Sequence, residues 1–352
     1  MRTHRIALIP GDGIGREVIP AAVRVLDAAA DRHGFALDHT PFDWSCERWT
    51  ATGRMMPTDG LELLAPFDGI FLGAVGHPDV PDHVSLWGLL IPIRRTFEQY
   101  VNLRPVRLLR GLTSPLRDLG PDDVDLCVVR ENNEGEYSEI GGRLYAGTEH
   151  EMAVQQSIFT RRGVDRVMRY AFELARTRRS HVTSVTKSNG IIHTMPYWDE
   201  RFAAMAAEFP DVGTDQFHID IMTAHMVLRP GDFDVIVASN LFGDILSDLG
   251  PAVVGGMGVA AGGNINPQRR HPSMFEPVHG SAPDIAGQGI ANPIAALWTG
   301  SMMLDHLGEA DAAAAVLDAV EAVTAAGTSL TADLGGTATT DELTDAVLAA
   351  LA

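Results

Sequence analysis

The chain opens on an apolar run, RIALIP at 5–10, which breaks at clustered glycines and resumes with helical spacing as far as Gly34. That pattern predicts a strand, a tight glycine turn and an amphipathic helix. Apolar runs return at 67–76 (FDGIFLGAVG, after a helical LELLA), 124–130 (VDLCVVR), 181–187 (HVTSVTK) and 233–240 (FDVIVASN). Helical periodicity fills 163–179 and 196–209 between them. Strand–helix alternation of this kind predicts α/β layering. The stretch 141–158, GGRLYAGTEHEMAVQQSI, alternates without a helical period and reads as a projecting β arm. No internal repeat or low-complexity linker interrupts the chain.

Length and composition narrow the picture. A chain of 352 residues is too long for one ordinary core and predicts two compact lobes. No run approaches the roughly 18 apolar residues of a membrane span, and the first residues lack a signal-peptide pattern. Cys46 and Cys127 have no CxxC spacing and read as reduced, buried thiols of a cytoplasmic protein. The net charge of −19 excludes nucleic acid as a partner. From Ser301 onward nine acids face no Lys or Arg, in an Ala-rich helical pattern that reads as a solvated face. Of the 27 basic residues, 26 are arginine and one is Lys187. An amine retained in such a chain suggests proton exchange, which a guanidinium does not perform.

Several constellations carry candidate chemistry. Gly11, Gly13 and Gly15 suggest a Rossmann turn, but Arg16 stands where the GxGxxG fingerprint needs glycine, so a Rossmann fold is not expected. Asp244 and Asp248 sit at i and i+4 of the helix expected after strand 233–240. A divalent cation would neutralise that pair; a first-turn dipole complement beside an exposed acid fits it too. Among Arg94, Arg95, Arg104, Arg107 and Arg130, several could converge as carboxylate clamps. Arg95 and Arg107 fit ordinary surface roles better. Tyr137, after RENNEGE, is a packing residue or a phenol available as general acid near a metal. EPVHGSAPDIAGQGIANP at 276–293 predicts a long ordered loop that binds something.

Taken together, these residues resemble the β-decarboxylating dehydrogenases, which include isopropylmalate, isocitrate, tartrate and D-malate dehydrogenases. The resemblance rests on IPGDGIG at 9–15, Arg94 with Arg104, RENNEGEYS at 130–138, TKSNG at 186–190, HIDI at 218–221, SNLFGDILSDL at 239–249 and the 276–293 loop. SLWGLLIPIRR at 85–95, QYVNLRPVR at 99–107 and SIFTRRGVDR at 157–166 look most like the tartrate/D-malate branch. The resemblance implies a two-lobed α/β fold, not Rossmann, with an arm at a dimer interface. A large cofactor lobe would comprise 1–100 and 250–352, and a small lobe 101–249.

It also implies roles. Arg94, Arg104 and Arg130 would clamp substrate carboxylates. Asp244 and Asp248, with Asp220 of the partner subunit, would hold Mg²⁺ or Mn²⁺, and K⁺ is a further cation that the resemblance allows. Lys187, beside Asp220 and also from the partner, would assist proton removal, and Tyr137 would protonate the product. NAD would lie against Ile14, Gly73, Val75, Glu276, His279, Gly280, Ser281, Ala282, Asp284 and Asn292. Asp284 favours NAD over NADP, because a carboxylate accepts from a ribose hydroxyl and repels a phosphate.

Trp87, Leu89 and Leu90 stand where isocitrate enzymes usually offer serine and asparagine to a third carboxylate, so Trp87 and Leu90 are the expected specificity residues. Asn133 replaces the more usual threonine of the REN-T-EGEY pattern, a change from which little is expected. The implied reaction is oxidation and decarboxylation of a small 2-hydroxy dicarboxylate: D-malate to pyruvate and carbon dioxide, tartrates to oxaloglycolate or glycerate. The alternatives are 3-isopropylmalate or isocitrate oxidation, a nicotinamide-independent metal-dependent decarboxylase, and a non-catalytic carboxylate-binding protein.

Overall fold

The computed structural model describes residues 2–352. The first apolar run forms β1 (Arg2–Gly11), followed by β2 (Phe35–Pro41) and the wholly buried β3 (Gly69–Ala74). Next come β4 (Val101–Arg107), β5 (Asp125–Glu131), β6 (Gly141–Leu144) and β7 (Met152–Gln155). The later strands are β8 (His181–Thr186), β9 (Gly213–His218), β10 (Val235–Ala238), β11 (Gly263–Ile265) and β12 (Ser273–Phe275).

Ten of these strands build one sheet in the order β2-β1-β3-β12-β11-β4-β5-β10-β8-β9. β2, β1, β3 and β12 are parallel, and so are β5, β10, β8 and β9. Between these wings β12 pairs antiparallel to β11, β11 to β4 and β4 to β5. Three reversals leave the two wings running in opposite directions. Helices cover the faces, as buried parallel strands require.

The first wing shows how sequence period becomes layering. Ile6 and Phe71 belong to one apolar cluster, while Ala7, Ile9, Ile70 and Leu72 belong to another on the opposite face. The Gly15–His33 helix buries Val18, Ala22, Val25 and Ala29 and ends at Gly34, whose φ of 76° only glycine adopts freely. Preceding the helix Ile91–Thr96 is a π-helical turn, Leu86–Leu90, with Gly88 packed so closely that a Cβ would lie 2.9 Å from Met55 Cγ.

The 141–158 segment forms an antiparallel hairpin of β6 and β7, every residue of both strands exposed. Cys46 and Cys127 are buried and unpaired. Among the described residues no helix is long and apolar enough to cross a membrane.

Candidate active site

β4 and β5 set the centre of the site. Their register places Asn102 opposite Arg130, with Arg104 two residues along β4 on the same face as Asn102. Arg94 comes from the Ile91–Thr96 helix, and all three arginines are buried. Arg94 Nη2 donates to Glu276 Oε1 at 2.7 Å, and Arg104 Nε to Asn102 Oδ1 at 2.6 Å. Arg130 donates to Asn240 Oδ1 through Nε and Nη2 at 3.1 and 2.7 Å, and its Nη1 pairs with Asp244. Burial pushes the Arg104 guanidinium down to about 10, against the pull of Glu276, so it stays charged at neutrality. Arg94 Nε and Arg104 Nη1 are buried donors without an acceptor. An unmet buried donor costs about 1–3 kcal/mol, so two of them amid three guanidiniums suit a carboxylate ligand.

A buried amide network fixes this cluster from below. Asn102 and Asn132 both donate to Asn264 Oδ1 at 2.9 Å, and Asn264 donates to Glu276 Oε1 at 2.9 Å. Burial works to raise the Glu276 carboxyl, but Arg94 and Arg104 outweigh it and hold it below the usual range.

The helix Asn240–Val253 carries Asp244 and Asp248 on one face. Its first turn is tied down by Glu136, which accepts from Ser239 Oγ at 2.8 Å and Leu241 N at 3.0 Å. Tyr137 donates its phenol to Asp244 Oδ2 at 2.7 Å. Burial, with that bond to Asp244, pushes the phenol up to about 12, so it keeps its proton at neutrality. Burial and the neighbouring Asp244 likewise raise the Asp248 carboxyl. Two adjacent carboxylates suit a hard divalent cation. Among the described residues no third His, Cys, Asp or Glu joins them within the chain.

Lys187 lies at the end of β8, its Nζ 2.8 Å from Asp220 Oδ1. Asp220 opens the Ile219–Leu228 helix, and the bond from Lys187 holds its carboxyl below the usual range. This pair bonds to none of Arg94, Arg104, Arg130, Tyr137, Asp244 or Asp248. The chain therefore brings together the arginines, tyrosine and two aspartates, while Lys187 and Asp220 form an ion pair of their own.

The expected cofactor residues form a second locality. Ile14 N donates to Ser281 O at 2.9 Å. A Cβ on Gly13 would lie 2.0 Å from Ser281 O, and one on Gly73 2.3 Å from Pro10 O, so both glycines serve close backbone packing. Val75 abuts Gly11, and the buried Asp12 carboxylate accepts from Cys46 N and Gly76 N. Glu17 anchors the 276–293 loop through Gly287 N at 2.6 Å and Gly289 N at 2.9 Å. Within that loop Ala282 holds a φ of 41°, and Gly280 has open space around it. His279 donates from Nδ1 to Gly280 O, and burial keeps its imidazole below the usual value. Asp284 is exposed, and among the described residues its carboxylate bonds no other group. Glu276 faces the arginines instead, while Asn292 is committed to Asp333 and to the N–H of Ile294.

Trp87 borders a cleft of about 500 Å³ with Met55, Met56 and His83, and Leu90 packs on the neighbouring apolar cluster. Neither lines the crevice between Arg94, Asn132, Tyr137 and Asn240. Arg107 pairs with Glu321. Sequence reasoning missed Glu276 as counter-ion, Asn264, Glu136 and Glu17. It also passed over Asn102, although the i, i+2 spacing before Arg104 could have revealed it.

Known proteins resemble this chain along nearly its whole length. The isocitrate/isopropylmalate dehydrogenase family profile matches residues 5–347. The D-malate dehydrogenase [decarboxylating] of Escherichia coli (strain K12) is 58% identical over 99% of this chain and 98% of its own. The tartrate dehydrogenase/decarboxylase of Pseudomonas putida is 56% identical, with the same coverage of each chain. Among solved structures, isocitrate dehydrogenase from Methylococcus capsulatus superposes with a TM-score of 0.88 at 36% identity, covering 99% of both chains.

Proposed function

The chain belongs to the isocitrate/isopropylmalate dehydrogenase family, and from that premise we propose that it oxidises and decarboxylates D-malate or tartrate with NAD and a divalent cation. The observation that carries the reading is the set of three buried arginines, two with unmet donors, beside a tyrosine held on Asp244. That pocket suits a small dicarboxylate, and the names of the relatives point to the same acids.

Arg94, Arg104 and Arg130 would bind the two carboxylates and orient the C–H bond. Asp244 and Asp248, with Asp220 of the partner subunit, would hold Mg²⁺ or Mn²⁺, and the Gly11–Gly15 turn and the 276–293 loop would hold NAD. When bound, the cation would supply Lewis acidity at the hydroxyl and its carboxylate, and NAD the hydride acceptor. Lys187 Nζ of the partner subunit would take the hydroxyl proton. Once carbon dioxide has left, Tyr137 would return a proton to carbon from a phenol that remains protonated at neutrality. The free Asp284 carboxylate supports NAD over NADP.

A homodimer with shared sites completes the reading. The Ile219–Leu228 helix is largely apolar, with Asp220, Thr223 and His225 its polar residues, yet Ile221, Val227 and Leu228 are exposed, and Ile245 of the adjoining helix with them. That face, next to Lys187 and Asp220, suits a second copy, and the exposed β6–β7 hairpin suits an interlocking arm. We also divide the chain into lobes 1–100 with 250–352 and 101–249, along the β11–β4 joint, and take its setting as cytoplasmic.

Absorbance of reduced nicotinamide, followed with D-malate, tartrates, isopropylmalate and isocitrate, with and without chelator, tests this. D-malate or a tartrate should give the highest kcat/KM, abolished by chelation. No signal from any of the four acids would end the proposal.

A further inference from the structure

We propose that Arg95 is a positioning residue for Tyr137, with Trp87 as its platform; this rests on the reading of Tyr137 as proton donor. Arg95 follows Arg94 on its helix and so projects about 100° away from it. Its Nη2 donates to the Tyr137 carbonyl oxygen at 2.9 Å, and its Nη1 to Glu139 Oε2 at 2.7 Å. The Trp87 ring lies 5.1 Å from the guanidinium carbon. A planar guanidinium gripped on its face and at two nitrogens has little room to shift.

The grip falls where it matters. Tyr137 is held by its carbonyl to Arg95 and by its phenol to Asp244, and the chain beyond it runs straight into the exposed hairpin. Among the described residues, no other side chain before residue 100 hydrogen-bonds the segment 136–158. Arg95 thus ties the helix bearing one carboxylate clamp to the backbone bearing the proton donor. It also gives Trp87 a use: the indole supports an arginine that borders the crevice, without lining the crevice itself.

The test is steady-state kinetics of the holoenzyme on its best acid, with Arg95→Met, Arg95→Lys, Tyr137→Phe and the Arg95→Met/Tyr137→Phe double variant. Arg95→Met should lower kcat about 10- to 100-fold, the scale of a slightly misplaced reacting group, with KM changed less than about threefold because the three clamps are intact. Arg95→Lys should recover part of kcat, since an ammonium can still reach one acceptor. In the Tyr137→Phe background, Arg95→Met should cost less than about twofold, because both lesions fall on one step. Normal kcat in Arg95→Met, a loss confined to KM, or a full multiplicative loss on top of the residual turnover of Tyr137→Phe would overturn the positioning role alone. A Tyr137→Phe enzyme with normal turnover would remove the donor reading and this inference with it. Should Arg95→Met fail to fold, Arg95→Lys and Trp87→Phe carry the comparison, and normal kcat in Arg95→Lys with no coupling to Tyr137→Phe overturns it.

Discussion

Lys187 holds its ammonium 2.8 Å from Asp220 in a chain that otherwise uses arginine for every positive charge. If it exchanges a proton with the substrate hydroxyl, charge alone will not replace it. Lys187→Arg should then be as inactive as Lys187→Met, each losing about 10²–10⁴-fold in kcat. A Lys187→Arg enzyme with near-parental turnover would reduce the lysine to an electrostatic clamp. At this scale the sequence exposes chemical types better than partners. Arg94, Arg104 and Arg130 stand out as cations close in sequence, and β-strand alternation links Asn102 to Arg104. Glu276 does not stand out, because its partner Arg94 lies 182 residues earlier and only the folded sheet joins them. Trp87 is read from its neighbours in sequence as a specificity residue, and the fold adds what sequence does not show, its contact with the Arg95 guanidinium.

Two elements make predictions of their own. The Asn240–Val253 helix presents Asp244 and Asp248 one turn apart, so Asp244→Asn or Asp248→Asn should raise the metal concentration needed for half activity at least tenfold, as each removes a charged oxygen ligand. Activation curves matching the parent would leave the pair as a feature of the helix.

β5 ends on Glu131, fully buried and accepting from Asn133 N and Glu134 N at 2.9 Å each. Burial pushes its carboxyl from 4.5 up to about 7, against those two N–H groups. The folded chain therefore holds this proton more tightly than the unfolded one. Its contribution to stability is full below pH 4.5 and is lost as pH rises through 7. Relative to Glu131→Gln, the parent should lose on the order of 2–3 kcal/mol between pH 4.5 and 8. Urea unfolding across that range measures it, and parallel stability curves would sink the assignment. Elements with long apolar runs, such as β3 and β5, are legible from pattern alone. β11 and β12, three residues each, are too short for a period to show and exist because β3 and β4 flank them.

For the whole molecule, Lys187 and Asp220 form an ion pair that bonds to no member of the arginine cluster, as expected if sites are shared. Consider a dimer of one Tyr137→Phe chain and one Lys187→Met chain. With shared sites, one site collects both lesions and the other is intact, so about half the parental activity per dimer should return although each homodimer is nearly dead. Purified mixed dimers that stay inactive, with cofactor affinity retained, would place both residues in one chain's site. The two-lobed α/β class is legible from strand–helix alternation and the family motifs. The continuity of one sheet through both wings is not, since it depends on three reversals made by short strands far apart in sequence.

That continuous sheet imposes a schedule on synthesis. β5, β8, β9 and β10 all lie within 125–238, whereas β3, paired on one side with β1, acquires its second neighbour only when Ser273–Phe275 is made. On the ribosome the later wing therefore closes first. The opening strands meanwhile wait with the β3 edge bare, a template for unwanted strand pairing. Nascent chains stalled with residue 250 clear of the exit tunnel should protect 125–238 from protease while 1–100 is still cut. Released full-length chains, which add the helices of 294–351 that pack on the Gly15–His33 helix, should protect both. Equal protection of the two regions at the earlier stall would mean that β1–β3 hold together without β12. If the schedule stands, the first hundred residues are the ones that most need a chaperone's shelter, although they are the first to be made.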